Sequence, residues 1–205
     1  NNLPHKVMIK DVAKYYEEQI ANEGKQKITA PQDCNKPNIT KPTWFHLGTM
    51  GGYFKFNEIT QILDSMALLY PNLITVKQAL SPLSTEGRTI WYVKISDNPN
   101  TDEAEPEVFY NSVHHAREAA SVSQLIFYMW YLLENYATDP DIKATVDATE
   151  MYFIPCVNPD GYVYNQTTNP NGGGMWRKNR RNNGGGVYGV DLNRNYGYNW
   201  GYDNT

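Results

Sequence analysis

Glu107-Val108-Phe109-Tyr110-Asn111-Ser112-Val113-His114-His115-Ala116-Arg117-Glu118 runs from a strand-like apolar segment straight into an imidazole and a carboxylate three residues apart. Glu107 to Val113 has the aromatic and β-branched content of a strand. From Ala119 to Tyr136 the apolar residues Val122, Leu125, Ile126, Met129, Leu132 and Leu133 recur at helical spacing, so they form a core face. Strand, turn and helix in succession are the unit of an α/β fold. In open sheets of that kind, sites gather beyond strand ends, and His115 and Glu118 lie at such an end. Residues three apart at a helix start project to one side. A Zn²⁺ ion takes nitrogen and oxygen ligands at a little over ~2 Å, and catalytic sites draw three from the protein. His115 and Glu118 have the chemistry of two of them. Taken alone, the H-x-x-E spacing equally describes a helix start with solvated charges.

Working outward, the pattern predicts further alternation of helices and strands. Asn57 is expected to cap a helix with Ile59, Ile62, Leu63, Met66 and Leu69 on one face, ending before Pro71. Strand-like runs follow at 74–80 and 89–96, joined by a turn at Glu86-Gly87-Arg88. Asp139-Pro140 opens a short helix by cap and first-turn proline. Met151 to Val157 supplies a fourth strand, closed by a turn at Asn158-Pro159-Asp160-Gly161. Together these predict an α/β sandwich with a largely buried sheet. Ahead of it, Asp11 precedes a helical stretch that ends before Gly24, and 29–52 turns to Pro, Asn, Thr and Lys and reads as an extended linker. The division expected is an N-terminal extension over 1–50 and a main domain over 51–205.

Composition narrows the function. A formal charge of −4 and a pI near 5.6 argue against nucleic acid as a partner. No apolar run approaches the ~20 residues needed to span a bilayer, and the first residues lack the apolar stretch of a signal peptide. Cys34 and Cys156 define no disulfide framework; Cys156 sits in an apolar run and reads as a buried thiol. Asn38-Ile39-Thr40 and Asn165-Gln166-Thr167 fit the glycosylation sequon. Gly172-Gly173-Gly174 and Gly184-Gly185-Gly186 lack the ending of a phosphate-cradling loop and read as flexible loops around the basic segment Arg177 to Arg181.

Met175-Trp176-Arg177-Lys178-Asn179-Arg180, Gly189-Val190-Asp191-Leu192-Asn193-Arg194-Asn195-Tyr196 and Asn158-Pro159-Asp160-Gly161 occur in that setting, and with the 113–118 stretch they resemble the zinc metallocarboxypeptidases of the carboxypeptidase A type. Val93 to Asn98 and Glu105-Pro106-Glu107 are most like the bacterial carboxypeptidase T branch. The likeness runs from about Gly51 to the end of the chain. It implies a mixed sheet flanked by helices, incomplete at the C-terminal side.

By that resemblance His115 and Glu118 are zinc ligands, Arg177 polarises the scissile carbonyl, and Asn193 with Arg194 grips the substrate's α-carboxylate, assisted by Arg117. A planar guanidinium suits a carboxylate, so the pairing is chemically coherent. The resemblance also places a third ligand, a general base and a mobile tyrosine beyond Thr205. The chain is therefore expected to need the remaining C-terminal part of such a domain as a partner, with peptide or protein C-termini as substrate and a secreted or periplasmic location. The acidic stretch 97–107 reads by spacing as a solvated loop. The resemblance instead implies Ca²⁺ at Glu58, Asp102, Glu103, Glu107 and Glu150, with Gly51 standing where a serine is expected. Two alternatives remain: a non-catalytic binder of peptide carboxylates, and an amidase or peptidoglycan-trimming relative on the same scaffold.

Overall fold

The computed structural model describes Asp11, Lys14 and residues 39–197, and the chain divides into two compact units, Asn1–Thr40 and Lys41–Thr205. Of the expected N-terminal helix only Asp11 and Lys14 are described, and the Asp11 carboxylate accepts the Lys14 amide at 3.0 Å as a cap would. The rest of that helix, Cys34 and Asn38 lie outside the described residues.

The second unit begins with a segment that is packed rather than loose. The Thr43 and Trp44 amides both donate to the Glu134 carboxylate, at 2.7 and 2.9 Å. Trp44 stacks on Trp130, Phe45 meets Phe54 and Phe127 edge-on, and Met50 is buried. The linker expected over 29–52 thus ends by Lys41, because its aromatic residues are worth more against the core than in water.

Helix α1 spans Phe56–Leu69 and starts two residues earlier than predicted, with Lys55 rather than Asn57 in the cap position. Glu58 closes the first turn by accepting the Lys55 amide at 2.6 Å, and Gln166 takes the Phe56 amide at 2.9 Å. Ile59, Ile62, Leu63 and Met66 form its buried face. Leu69 falls at the exposed end.

Four strands form one sheet: β1 Gln78–Ala79, β2 Trp91–Ile95, β3 Glu107–Asn111 and β4 Glu150–Ile154, in the order β1-β2-β4-β3. β4 pairs antiparallel with β2 and parallel with β3, so the sheet is mixed. The predicted 74–80 strand survives only as β1 and a single bridge between Ile74 and Ile95, since Val76 is 70% exposed and Lys77 turns to pair with Asp64. Helix α2, Ala119–Asn135, covers the sheet: Tyr128 packs on Tyr110 of β3 and on Phe153 of β4, which stack at 5.0 Å. Val122, Leu125, Ile126, Met129, Leu132 and Leu133 are all buried, as their spacing predicts. Each such side chain contributes roughly 1.5–3 kcal/mol. Helix α3, Pro140–Val146, is capped by Asp139, whose carboxylate accepts the Asp141 and Ile142 amides.

One prediction is reversed. Asn158-Pro159-Asp160-Gly161 is no isolated turn but the start of helix α4, Pro159–Thr168, with Asn158 accepting the Gly161 amide at 3.1 Å. Asparagine followed by proline serves a helix start as well as a turn, and the sequence beyond decides between them. Among the described residues no helix is long and apolar enough to cross a membrane.

Candidate active site

β3 and β4 run parallel, so both deliver their following residues to the same edge of the sheet. After β3 the Ser112 amide still donates to Ile154, and then the chain turns sharply at Val113, whose φ of 57° is in the left-handed region. A β-branched residue there is strained, by an amount of order 1–3 kcal/mol, and such strain is held only where surrounding contacts enforce it. Here Val113 is fully packed and its amide is held by the Ser121 hydroxyl. The turn sets His115 inward, buried, and Glu118 at the head of α2. The Glu118 carboxylate caps no helix amide; instead its Oε1 lies 2.8 Å from His115 Nδ1. Its side chain is 53% exposed, so the pair opens to solvent on one side.

His115 is held from behind as well. Its Nε2 lies 3.1 Å from Asp191 Oδ1, which fixes the ring and leaves Nδ1 facing Glu118. The same Asp191 carboxylate accepts from Arg177 Nε at 2.9 Å and from the Asn193 amide at 3.0 Å. Burial works against its ionised form, but Arg177, the Asn193 amide and the neighbouring His115 prevail and hold the carboxyl below its usual range. Asp191 lies within the Gly189 to Tyr196 motif, whose residue types alone point to no role for it. Its position two residues before Asn193, where an acid caps a turn, was the available signal.

Arg177 and Asp191 sit at the base of a hairpin. Asn179 bonds Val190, Arg181 accepts from Gly189, Asn182 bridges Tyr188, and Gly184, Gly185 and Gly186, all at positive φ, make the turn. The flexible loop expected here is therefore a hydrogen-bonded ribbon. The Arg177 carbonyl accepts the Ala116 amide at 2.9 Å, tying this ribbon directly to the turn between His115 and Glu118. Gly161 permits the close approach: a Cβ there would lie 2.3 Å from the Lys178 carbonyl oxygen and 2.8 Å from Ala116 Cβ.

Asn193 and Arg194 are exposed on the short 3₁₀ turn Leu192–Arg194 that Asp191 caps. Arg117 is exposed and, with Glu118, Met50, Tyr53 and Gly172 to Met175, lines a cavity of about 270 Å³ beside the pair. His114 bonds the Tyr196 hydroxyl, and His46 bonds the Trp44 carbonyl and packs on Phe54; neither joins His115. His5 lies outside the described residues.

The carboxylates named for calcium separate. Asp102, Glu107 and Glu150 bring oxygens within 4.8 Å of one another, whereas Glu103 groups with Asp97 and Glu105. Glu58 belongs to neither group, being occupied at the α1 cap and by the Thr49 amide. Glu150 is wholly buried, paired with Lys94 at 2.7 Å, and accepts from the Glu103 amide and the Tyr152 hydroxyl. The Lys94 bond holds its carboxyl below the usual range against burial.

The chain is similar to known proteins in sequence and in fold. The family model described as zinc carboxypeptidase matches residues 59–205. A zinc carboxypeptidase of Saccharothrix mutabilis subsp. capreolus is 38% identical over 186 residues, 91% of this chain and 40% of that protein. Metallocarboxypeptidase A of Trichophyton tonsurans is 37% identical over 118 residues, 57% of this chain and 27% of that one. The crystal structure of carboxypeptidase A from Helicoverpa armigera superposes with a TM-score of 0.61 at 28% identity, over 90% of this chain and 42% of that one. Thrombin activatable fibrinolysis inhibitor shares the fold, with a TM-score of 0.65 at 23% identity, over 96% of this chain and 44% of that one. The chain spans less than half the length of these relatives. With its mixed sheet, its parallel β3/β4 edge and the motifs gathered there, the chain belongs to the zinc carboxypeptidase family.

Proposed function

We propose that these residues form part of an enzyme that removes C-terminal amino acids from peptides by zinc-dependent hydrolysis. The observation that carries the reading is the convergence of His115 Nδ1 and Glu118 Oε1, 2.8 Å apart, with Asp191 joining the imidazole to Arg177. One nitrogen and one oxygen donor, with the far ring nitrogen held by a carboxylate, fit the donor set of a zinc site. His115 and Glu118 would hold the ion, and the chemistry a bound zinc supplies is Lewis-acid polarisation together with a lowered pKa of water. Asp191 keeps the imidazole oriented. Arg177 donates to the oxygen that becomes negative as the carbonyl is attacked, from a place fixed before the reaction. Asn193 and Arg194 bind the free α-carboxylate, which restricts cleavage to the chain end. Arg117 gives the cavity beside Glu118 a second carboxylate-binding cation. The kinship with carboxypeptidase T and a secreted or periplasmic setting belong to the same reading.

The test uses the whole protein with a peptide and its C-terminally amidated twin. Near-stoichiometric zinc, chelator-sensitive release of the last residue from the acid and no release from the amide are expected, and His115→Ala should lose both metal and activity. Tight binding of the acid peptide by zinc-loaded protein without any release would overturn the enzyme in favour of a carboxylate-binding protein. The reading extends to a structural Ca²⁺ at the exposed Asp102 and Glu107 carboxylates beside Glu150, whose own oxygens already serve Lys94, the Glu103 amide and the Tyr152 hydroxyl. Ca²⁺, and not Mg²⁺, is then expected to raise the thermal midpoint by a few degrees, on the order of the shift that ligand binding to the native state alone produces; an unchanged midpoint at millimolar Ca²⁺ would remove that site.

A further inference from the structure

Arg180 belongs to the basic run after Trp176 and by composition is a surface cation, but its side chain is only 15% exposed. Its guanidinium carbon lies 3.9 Å from the ring centre of Tyr164, 4.5 Å from Trp176 and 4.8 Å from Tyr188. Among the described residues its Nε is buried without a hydrogen-bond partner, and its nearest carboxylate oxygen, on Glu86, is 3.7 Å away. The cation is therefore held chiefly by ring faces, as a planar guanidinium among aromatic rings favours.

The three rings come from different places. Tyr164 is on α4, Trp176 is the residue before Arg177, and Tyr188 is on the returning arm of the hairpin whose base carries Arg177 and Asp191. Trp176 is clamped from α4 as well: buried Asn165 accepts its amide at 2.9 Å and donates to its carbonyl at 2.8 Å. Gly174 lets the chain pass, since a Cβ there would lie 2.6 Å from the Asn165 side-chain oxygen. Asn165 thus fixes the main chain entering Arg177, and Arg180 joins both arms of the hairpin to the same helix.

We propose that Arg180, stacked in the cage of Tyr164, Trp176 and Tyr188, is a positioning residue that sets Arg177 against the His115 and Glu118 pair. This rests on the role given above to Arg177. Without the stack, the hairpin keeps its internal bonds and the Asn165 clamp on Trp176 but loses the contact that ties Arg180 and Tyr188 to Tyr164 of α4, and the Arg177 guanidinium samples displacements of the kind that cost roughly tenfold to a hundredfold in rate.

The test is a kinetic cycle in the full-length enzyme, with zinc content and thermal midpoint measured on every variant. Arg180→Ala is expected to lower kcat about tenfold or more, with KM changed less than about twofold and zinc unchanged. Arg180→Lys keeps the charge but not the planar face and should remain about fivefold down. In an Arg177→Ala background, Arg180→Ala should add almost nothing, because both act through one group. Tyr188→Leu, at a partly exposed ring, covers the case in which Arg180→Ala does not fold, with a loss of about threefold expected. Should Arg177→Ala itself leave kcat unchanged, the functional reading falls. If Arg177→Ala lowers kcat while Arg180→Lys and Tyr188→Leu fold with wild-type kcat, or if the losses multiply with that of Arg177→Ala, the positioning role alone is overturned.

Discussion

At the residue scale, Asp191 carries more than its motif advertised. It meets His115, Arg177 and the Asn193 amide at once, so a single carboxylate couples the proposed metal ligand, the oxyanion donor and the carboxylate clamp. Asp191→Asn keeps the size and removes the charge; zinc affinity is expected to fall about 10–100-fold, as when the partner of a ligating histidine is changed. Competition against a chelator of known affinity measures this, and an unchanged affinity would detach Asp191 from the metal. Asn165 shows the opposite lesson. Asn165-Gln166-Thr167 satisfies the sequon, yet Asn165 is 5% exposed and both ends of its amide bond Trp176. Protein secreted from a eukaryotic host is expected to carry no glycan there, which mass spectrometry of the proteolytic peptide holding Asn165, resolved from the one holding Asn38, reads directly. A three-residue pattern holds no information about burial, so no reading of the sequence alone separates a clamp from an acceptor.

At the scale of elements, the α4 start and the Ser84–Arg88 turn are welded through Asp160. Its carboxylate accepts from the Ser84 and Thr85 hydroxyls and the Glu86 amide and pairs with Arg88 at 2.9 Å. Burial raises its pKa, but these donors outweigh burial and the net position is below the ordinary carboxylate value. A carboxyl depressed on folding stabilises fully above its unfolded pKa, about 4, and that stability is lost as pH falls through the folded value. Urea unfolding of the wild type should therefore weaken as pH falls below about 4, while Asp160→Asn starts weaker at pH 7 and shows a flatter profile. Parallel profiles for the two proteins would deny Asp160 this role. The sequence made α2 and three of the strands legible, because periodicity and strand composition are local properties. It misplaced the α1 cap and the Asn158 turn for a local reason too: asparagine and proline mark several kinds of chain reversal, and the residues beyond them decide whether a helix follows.

At the scale of the whole unit, the candidate site is assembled from three separate stretches of sequence, 113–118, 158–165 and 174–194. Their residue types were readable, and the contacts that orient them were not. Arg180 illustrates why: charge in a basic run predicts solvent, and the gathering of Tyr164, Trp176 and Tyr188 around its guanidinium turns that prediction over. The same parallel pairing of β3 and β4 that gathers the chemistry at one rim sends the strand beginnings, Glu107 and Glu150, to the other. Ala148, exposed just ahead of β4, lies at that far rim. A biotin or a surface tether attached through Ala148→Cys would present the candidate-site rim outward, so an immobilised form could be packed into a column without its mouth pressed against the bead.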